Sequence, residues 1–174
     1  MNKIIVAPGA FKNSLSASAV AAAIQRGLIR SNLDAETVVL PIADGGNGTL
    51  DAFLARGGTR HTVNVDDPLG RPVEAEYGIL PDGETVIIEM ALASGLELLD
   101  SDQLNPLLTS TYGTGQVLAA ALDMGVTRFI IGMGGSATVD GGAGCLQALG
   151  IRLLDAQGDE IVRGGGALNQ VQTI

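Results

Sequence analysis

The run Phe129 to Gly144, FIIGMGGSATVDGGAG, constrains the fold more than any other stretch of the chain. A short apolar segment (Phe129, Ile130, Ile131) enters the turn Gly132-Met133-Gly134-Gly135. Ser136, Thr138 and Asp140 follow, and then an Ala/Leu-rich segment. The order reads as a buried strand, a tight loop and a helix start. Such a loop presents backbone N–H groups beside the positive end of a helix dipole and suits an anion, most often phosphate. Glycine is also the default wherever a backbone bends sharply, so the same residues equally serve a plain strand-to-helix turn.

Two further strand-exit loops precede it. Ile4 to Ala7 is a short, β-branched run, expected as a buried strand and ended by Pro8 and Gly9. From Ala17 to Ile29 the apolar residues recur at helical spacing, with Val20, Ile24 and Leu28 in one stripe flanked by Ala17 and Ala21, and with Ser16 as the N-cap. Lys12 lies in the intervening loop, at the carboxyl end of the strand, where open α/β sheets bind ligands. A solvated loop lysine is the alternative. The second strand, Thr37 to Leu40, closes at Pro41 and leads into Ala43-Asp44-Gly45-Gly46-Asn47-Gly48-Thr49. Thr49 is the expected cap of a helix from Leu50 to Arg56, stopped by Gly57-Gly58. Asp44, beside two glycines, suits Mg²⁺ binding, proton acceptance or a hydrogen bond to a substrate hydroxyl. It equally suits an Asx-turn, with its carboxylate on the backbone two residues on.

After residue 60 the texture changes. His61 to Val65 alternates as a strand, and Asp66 to Pro72 is turn-rich. Val73–Leu80 and Glu84–Met90 flank the hairpin signal Pro81-Asp82-Gly83. A lobe boundary is expected at 66–72, with residues 1–66 in a first α/β lobe of parallel Rossmann/flavodoxin-like βα units. Residues 67–174 then form part of a second, mixed α/β lobe with antiparallel hairpins and the glycine-rich anion loop. Further helices are expected over Ala91–Leu99, over Gln116–Met124 with Thr114 as cap, and over Gly141–Leu149. A second hairpin is expected over Ile151–Val162. Cys145 shares a helical face with Leu149 and reads as a small core residue. His61, the single histidine, carries no role.

Composition bounds the function. The formal charge of −9 argues against nucleic acid and anionic membrane as partners. It also requires any anionic substrate to be met by local groups or a metal. Lys3 and Lys12 are the two lysines, and one cysteine excludes an intrachain disulfide and suits a reducing compartment. Met1-Asn2-Lys3 leads into four apolar residues before Pro8, and no apolar run approaches the ~20 residues of a membrane span, so a cytoplasmic chain is expected. There is no Walker A sequence, no Cys/His metal cluster and no G-x-S-x-G elbow. Gly132, Gly134 and Ala137 do fit the dinucleotide pattern G-x-G-x-x-A, with Asp155 near the expected place of the acid. An NAD-binding enzyme is therefore a rival reading.

Several segments together resemble the bacterial type I glycerate kinase family. They are AP-x-x-FK-x-SLSA (Ala7–Ala17), P-x-ADGG-x-GT (Pro41–Thr49), DPLGRPVEAEYGIL (Asp67–Leu80), IEMALASGL (Ile88–Leu96), TYGTGQ (Thr111–Gln116), and IGMGGSATVDGGAG with QALG (Ile131–Gly150). The resemblance runs almost the whole length in the same order. It implies a two-lobed α/β enzyme that phosphorylates D-glycerate with ATP and Mg²⁺, usually to the 2-phosphate. Lys12 would then meet the glycerate carboxylate or a transferring phosphate. Asp44 would orient or deprotonate the attacking hydroxyl or hold Mg²⁺, and Asp140 is the second candidate acid. Ser14, Gly45, Gly46, Gly134, Gly135, Ser136 and Thr138 would contact substrate or phosphate; no metal ligand set is assigned. The family commonly has Asp-Ser where this chain has Gly9-Ala10, and Glu where it has Asn47. Its members are roughly twice as long. The resemblance thus implies an N-terminal half, whose first lobe and nucleotide site need the missing C-terminal half or a partner chain, or else an inactive fragment.

Overall fold

A computed structural model of the chain describes residues 2–11 and 14–174. Strand β1 (Asn2–Val6) pairs in parallel with β2 (Ala35–Val39), from Asn2 opposite Ala35 to Val6 opposite Val39. The pairing continues into the exit loops, where Leu40 N donates to Val6 O (2.8 Å) and Ile42 N to Pro8 O (3.0 Å). Helix α1 (Ala17–Arg30) makes the crossover, and Ser16 caps it as expected, accepting a bond from Ala19 N at 3.2 Å. Ala17, Val20 and Ala21 are buried, whereas Ile24, in the middle of the stripe, is exposed and Leu28 is half-buried. The expectation of a buried β1 is corrected: Val6 is buried, but Ile5 is 62 % exposed. Two strands with one covering helix leave a face and the sheet edges open.

The larger sheet has the order β3-β4-β5-β6, formed by Thr59–Asp66, Pro72–Ile79, Thr85–Glu89 and Arg128–Gly132. β3/β4 and β4/β5 are antiparallel, and β5/β6 is parallel. Strand alternation divides the side chains between two faces. Val65, Ala75, Tyr77, Val86 and Ile88 form the main core with Val117, Leu118 and Ala121 of α4 (Tyr112–Asp123). The opposite face carries Arg60, Gly78, Ile87 and Glu89, and is covered by α2 (Thr49–Leu54), whose Leu50 and Leu54 pack onto Gly78. α2 and β3 therefore belong with the second sheet. β3 pairs with β4 over its whole length, from Thr59 opposite Ile79 to Asp66 opposite Pro72. His61 stacks on Tyr77 with ring centroids 5.2 Å apart.

Several other expectations change. β6 is not a buried strand: it lies at the sheet edge, with Ile130 42 % exposed. α4 starts at Tyr112 after Thr111, and Thr114 is inside it, with its hydroxyl 2.7 Å from that of Ser94. Residues 91–99 divide into the short helix α3 (Ala91–Ser94) and a 3₁₀ turn (Leu96–Leu98). The last helix, α5, runs from Ala143 to Ala148, and half-buried Cys145 packs against the main core. The expected hairpin over 151–162 is a tight turn, with a single bridge between Leu154 and Glu160.

Candidate active site

The carboxyl ends of the parallel strands point to one place, as they do in open α/β sheets. There the loops after β1, β2 and β6 surround a cleft of about 770 Å³. Ser14, Asp44, Gly46, Gly134 and Gly135, all foreseen as site residues, line it together with Asn47, Asp51 and Glu97. Lys12 lies outside the described residues.

The glycines of the two inner loops bring backbone against backbone. Gly134 N donates to Gly45 O at 2.7 Å. A Cβ on Gly132 would lie 2.6 Å from Gly45 O, and one on Gly134 would lie 2.6 Å from Gly46 N. This close approach, rather than a free anion cradle, is what these glycines make possible. The amides of Gly45, Gly46 and Gly134 are all committed, to Thr49 Oγ1 (3.1 Å), Asp44 Oδ1 (3.0 Å) and Gly45 O respectively. The Gly134 amide, expected at an anion, donates to Gly45 O instead. Asp44 forms the Asx-turn that the sequence allows and still lines the cleft. Its Oδ2 has no hydrogen bond among the described residues.

Thr49 opens α2 but does not cap it: Gly48 holds the N-cap position, while the Thr49 hydroxyl donates back to Gly46 O at 2.7 Å. The helix end is held instead by Glu89, a residue that sequence reasoning missed. Its carboxylate is 3 % exposed and accepts from Gly48 N (3.2 Å) and Leu50 N (3.0 Å). Burial pushes its pKa above the usual carboxylate range, opposed by these amide bonds. The signal lay in Thr85–Met90, where one acid interrupts a continuous apolar run.

Four expected site residues, Gly45, Ser136, Thr138 and Asp140, lie apart from the cleft lining. Ser136 and Thr138 pair their hydroxyls at 2.8 Å, and Thr138 N donates to Ser136 Oγ at 3.1 Å. Asp140 is 1 % exposed. It accepts from Thr111 N (2.8 Å), Thr111 Oγ1 (2.9 Å), Ser110 Oγ (3.3 Å), Gly142 N (3.1 Å) and Gly144 N (3.2 Å). A carboxylate so saturated joins the starts of α4 and α5 and has little capacity left for a substrate.

The cleft carries the acids Asp44, Asp51 and Glu97, with Asp51 ion-paired to Arg60, which also binds Glu76. Among the described residues no group of three or more His, Cys, Asp or Glu is arranged to hold a metal, and no helix is long and apolar enough to cross a membrane. Asp44 does fit Mg²⁺ in the way kinase sites commonly use it, with one protein carboxylate and the rest from phosphate and water.

The dinucleotide reading fails on geometry. Its fingerprint needs a helix opening directly on the glycine turn, but the next helix after β6 starts only at Ala143. The intervening loop is tied down by Leu96 N to Gly135 O (2.9 Å) and Ala137 N to Ser94 O (2.9 Å). Asp155 sits in a local turn, accepting from Gln157 N and Asp159 N.

The chain is similar to known proteins in both sequence and fold. The sequence pattern of the glycerate kinase family matches residues 4–174. The chain is 52 % identical over 174 residues to a glycerate 2-kinase of Escherichia coli (strain K12), with 99 % of this chain and 45 % of the relative aligned. It is 54 % identical over 173 residues to a glycerate kinase of Bacillus subtilis (strain 168), again with 99 % and 45 % aligned. A crystal structure from Salmonella typhimurium LT2, provisionally assigned as glycerate kinase 2, superposes with a TM-score of 0.81 at 49 % identity. It covers 99 % of this chain and 47 % of that one. The chain thus spans under half the length of these relatives. On sequence and fold together, the chain belongs to the glycerate kinase family.

Proposed function

We propose that this chain is the N-terminal part of a cytoplasmic kinase that transfers the γ-phosphoryl group of ATP to D-glycerate, giving 2-phosphoglycerate. The observation that carries the reading is the family match over residues 4–174, joined to a cleft in which Asp44 stands among three strand-exit loops. The C2 hydroxyl oxygen attacks the γ-phosphorus, the bond to ADP breaks, and the hydroxyl proton passes to the Asp44 carboxylate. Phosphoryl transfer depends on positioning and charge neutralisation more than on covalent chemistry.

The cleft contributes carboxylates, and its inner glycine amides are already committed. Positive charge for two anionic substrates must therefore come from elsewhere. Lys12 supplies one cation, at the glycerate carboxylate or the transferring phosphate; Ser14 and the Gly135 segment contact the phosphates. Mg²⁺ would neutralise phosphate charge and would be held chiefly by phosphate and water; Asp44 is the carboxylate that would hold it if it did not take the proton. Asp140 holds the starts of α4 and α5 together, away from the cleft. The remaining nucleotide contacts come from the part of the kinase that this chain does not span, and the open face of the β1–β2 sheet supports such a partner.

A coupled assay with ATP and D-glycerate tests the reading on the intact protein. Asp44→Asn and Lys12→Ala should each lower turnover by roughly 10²–10⁴-fold, the usual contribution of a positioned proton acceptor or charge. Near wild-type turnover in both variants overturns the site. No turnover by the wild-type protein, with its remaining half supplied, leaves an inactive remnant.

A further inference from the structure

Glu89 stands where two walls of the cleft, the loops after β2 and β6, are joined. Through its backbone it belongs to β5, in register with Gly132 of β6, and the adjacent Met90 N donates to Gly132 O at 3.0 Å. Alternation places its side chain on the same face as Ile87, the face that α2 covers. Its carboxylate therefore reaches the loop after β2 and takes the amides of Gly48 and Leu50. Thr49, between those two residues, bonds Gly45 N and Gly46 O, and Gly46 N in turn holds Asp44 Oδ1. The circuit closes where Gly134 N, two residues past Gly132, donates to Gly45 O.

We propose that Glu89 is a positioning residue for phosphoryl transfer: its buried carboxylate sets the spacing between the Asp44 loop and the loop after β6. The proposal rests on the reading that Asp44 serves the attacking hydroxyl. A buried acid at the start of a six-residue helix is not needed to form that helix, which already packs Leu50 and Leu54 onto the sheet. Two charge-assisted bonds from one side chain do something that packing does not: they fix the helix along its own axis. The proximal amides, and Asp44 with them, are then held to the tolerance that in-line transfer demands. A displacement of about 1 Å costs on the order of 10²-fold in rate.

The test uses Glu89→Gln in the intact protein. The substitution keeps the side-chain volume and one acceptor, but turns an N–H group against one of the two amides. Expected are a fall in kcat on the order of 10²-fold, little change in KM for glycerate, and shifted, faster-exchanging amide resonances for Gly46, Gly48 and Leu50. Amides of β3 and β4 should stay as in the wild type. Glu89→Asp, which keeps the charge but shortens its reach, should move the same resonances and the same kinetic constant, and serves if the Gln variant does not fold. Unchanged kcat, with or without shifted loop amides, overturns the positioning role; a rise in KM alone also overturns it. If the wild-type protein does not phosphorylate glycerate, the functional reading fails separately. The loop amides then decide whether Glu89 holds the Asp44 loop: unchanged resonances overturn that, and shifted ones support it.

Discussion

Substituting Gly134 by alanine tests whether the two glycine loops meet as closely as the structure has them. A Cβ there would lie 2.6 Å from Gly46 N, 2.7 Å from Gly46 Cα and 3.0 Å from Gly45 C, all backbone atoms that cannot rotate away. Ordinary contact distances are about 3.5–4.0 Å, so the loops must part by roughly 1 Å. Overpacking of this kind costs about 1–3 kcal/mol. Parting also breaks the Gly134 N to Gly45 O bond, worth about 0.5–1.5 kcal/mol. Together these give roughly 1.5–4.5 kcal/mol, or a fall in Tm of about 3–18 °C for a chain of this size. Gly9→Ala is the control, because a Cβ at Gly9 meets nothing within 4 Å and its φ is not positive; it should stay within about 0.5 kcal/mol. Thermal unfolding and glycerate phosphorylation are measured on both variants. If the loops part without unfolding, the loss appears in turnover rather than in Tm. A Gly134→Ala protein matching the wild type in both would refute the close approach.

Asp140→Asn should destabilise the chain by about 3 kcal/mol, because an amide N–H₂ then opposes buried donors that a carboxylate satisfied; urea denaturation measures it, and a loss below about 1 kcal/mol would argue against the hub. At the β4–β5 turn, the Thr85 hydroxyl, the amides of Thr85 and Glu84, and Arg128 hold the Asp82 carboxyl down at about 2, from an ordinary value of 3.8. A depressed acid contributes stability above its unfolded pKa and loses it as pH falls through the folded one. Asp82 should therefore support the hairpin above about pH 4 and release it towards pH 2. Carbon-detected titration of the Asp82 carboxyl checks this, and a midpoint at 3.8 contradicts it.

What could be read from the chain was mostly local. The Ser16 cap, the α1 stripe and the Pro81-Asp82-Gly83 turn each depend on residues a few positions apart, so a single sequence carries them. The start of α4 did not follow its nearest cap signal, Thr114. Tertiary packing drew that hydroxyl to Ser94 and let the helix begin earlier. The apolar run Phe129–Ile131 was correctly placed as a strand but wrongly placed as buried. A run of apolar side chains reports β propensity, not which neighbours cover it, and β6 has an edge position.

For the site, sequence by itself determined the family, the three strand-exit loops and Asp44 within them, because each is written in contiguous residues. Tertiary structure alone decided that Gly132 and Gly134 serve close approach to Gly45 and Gly46, that Asp140 is engaged by Ser110 and Thr111, and that Glu89 reaches Gly48 and Leu50. Each of these joins segments about 30 to 90 positions apart. The physical reason is that a hydrogen bond or a van der Waals contact depends on distance in space, and the chain records only distance along itself.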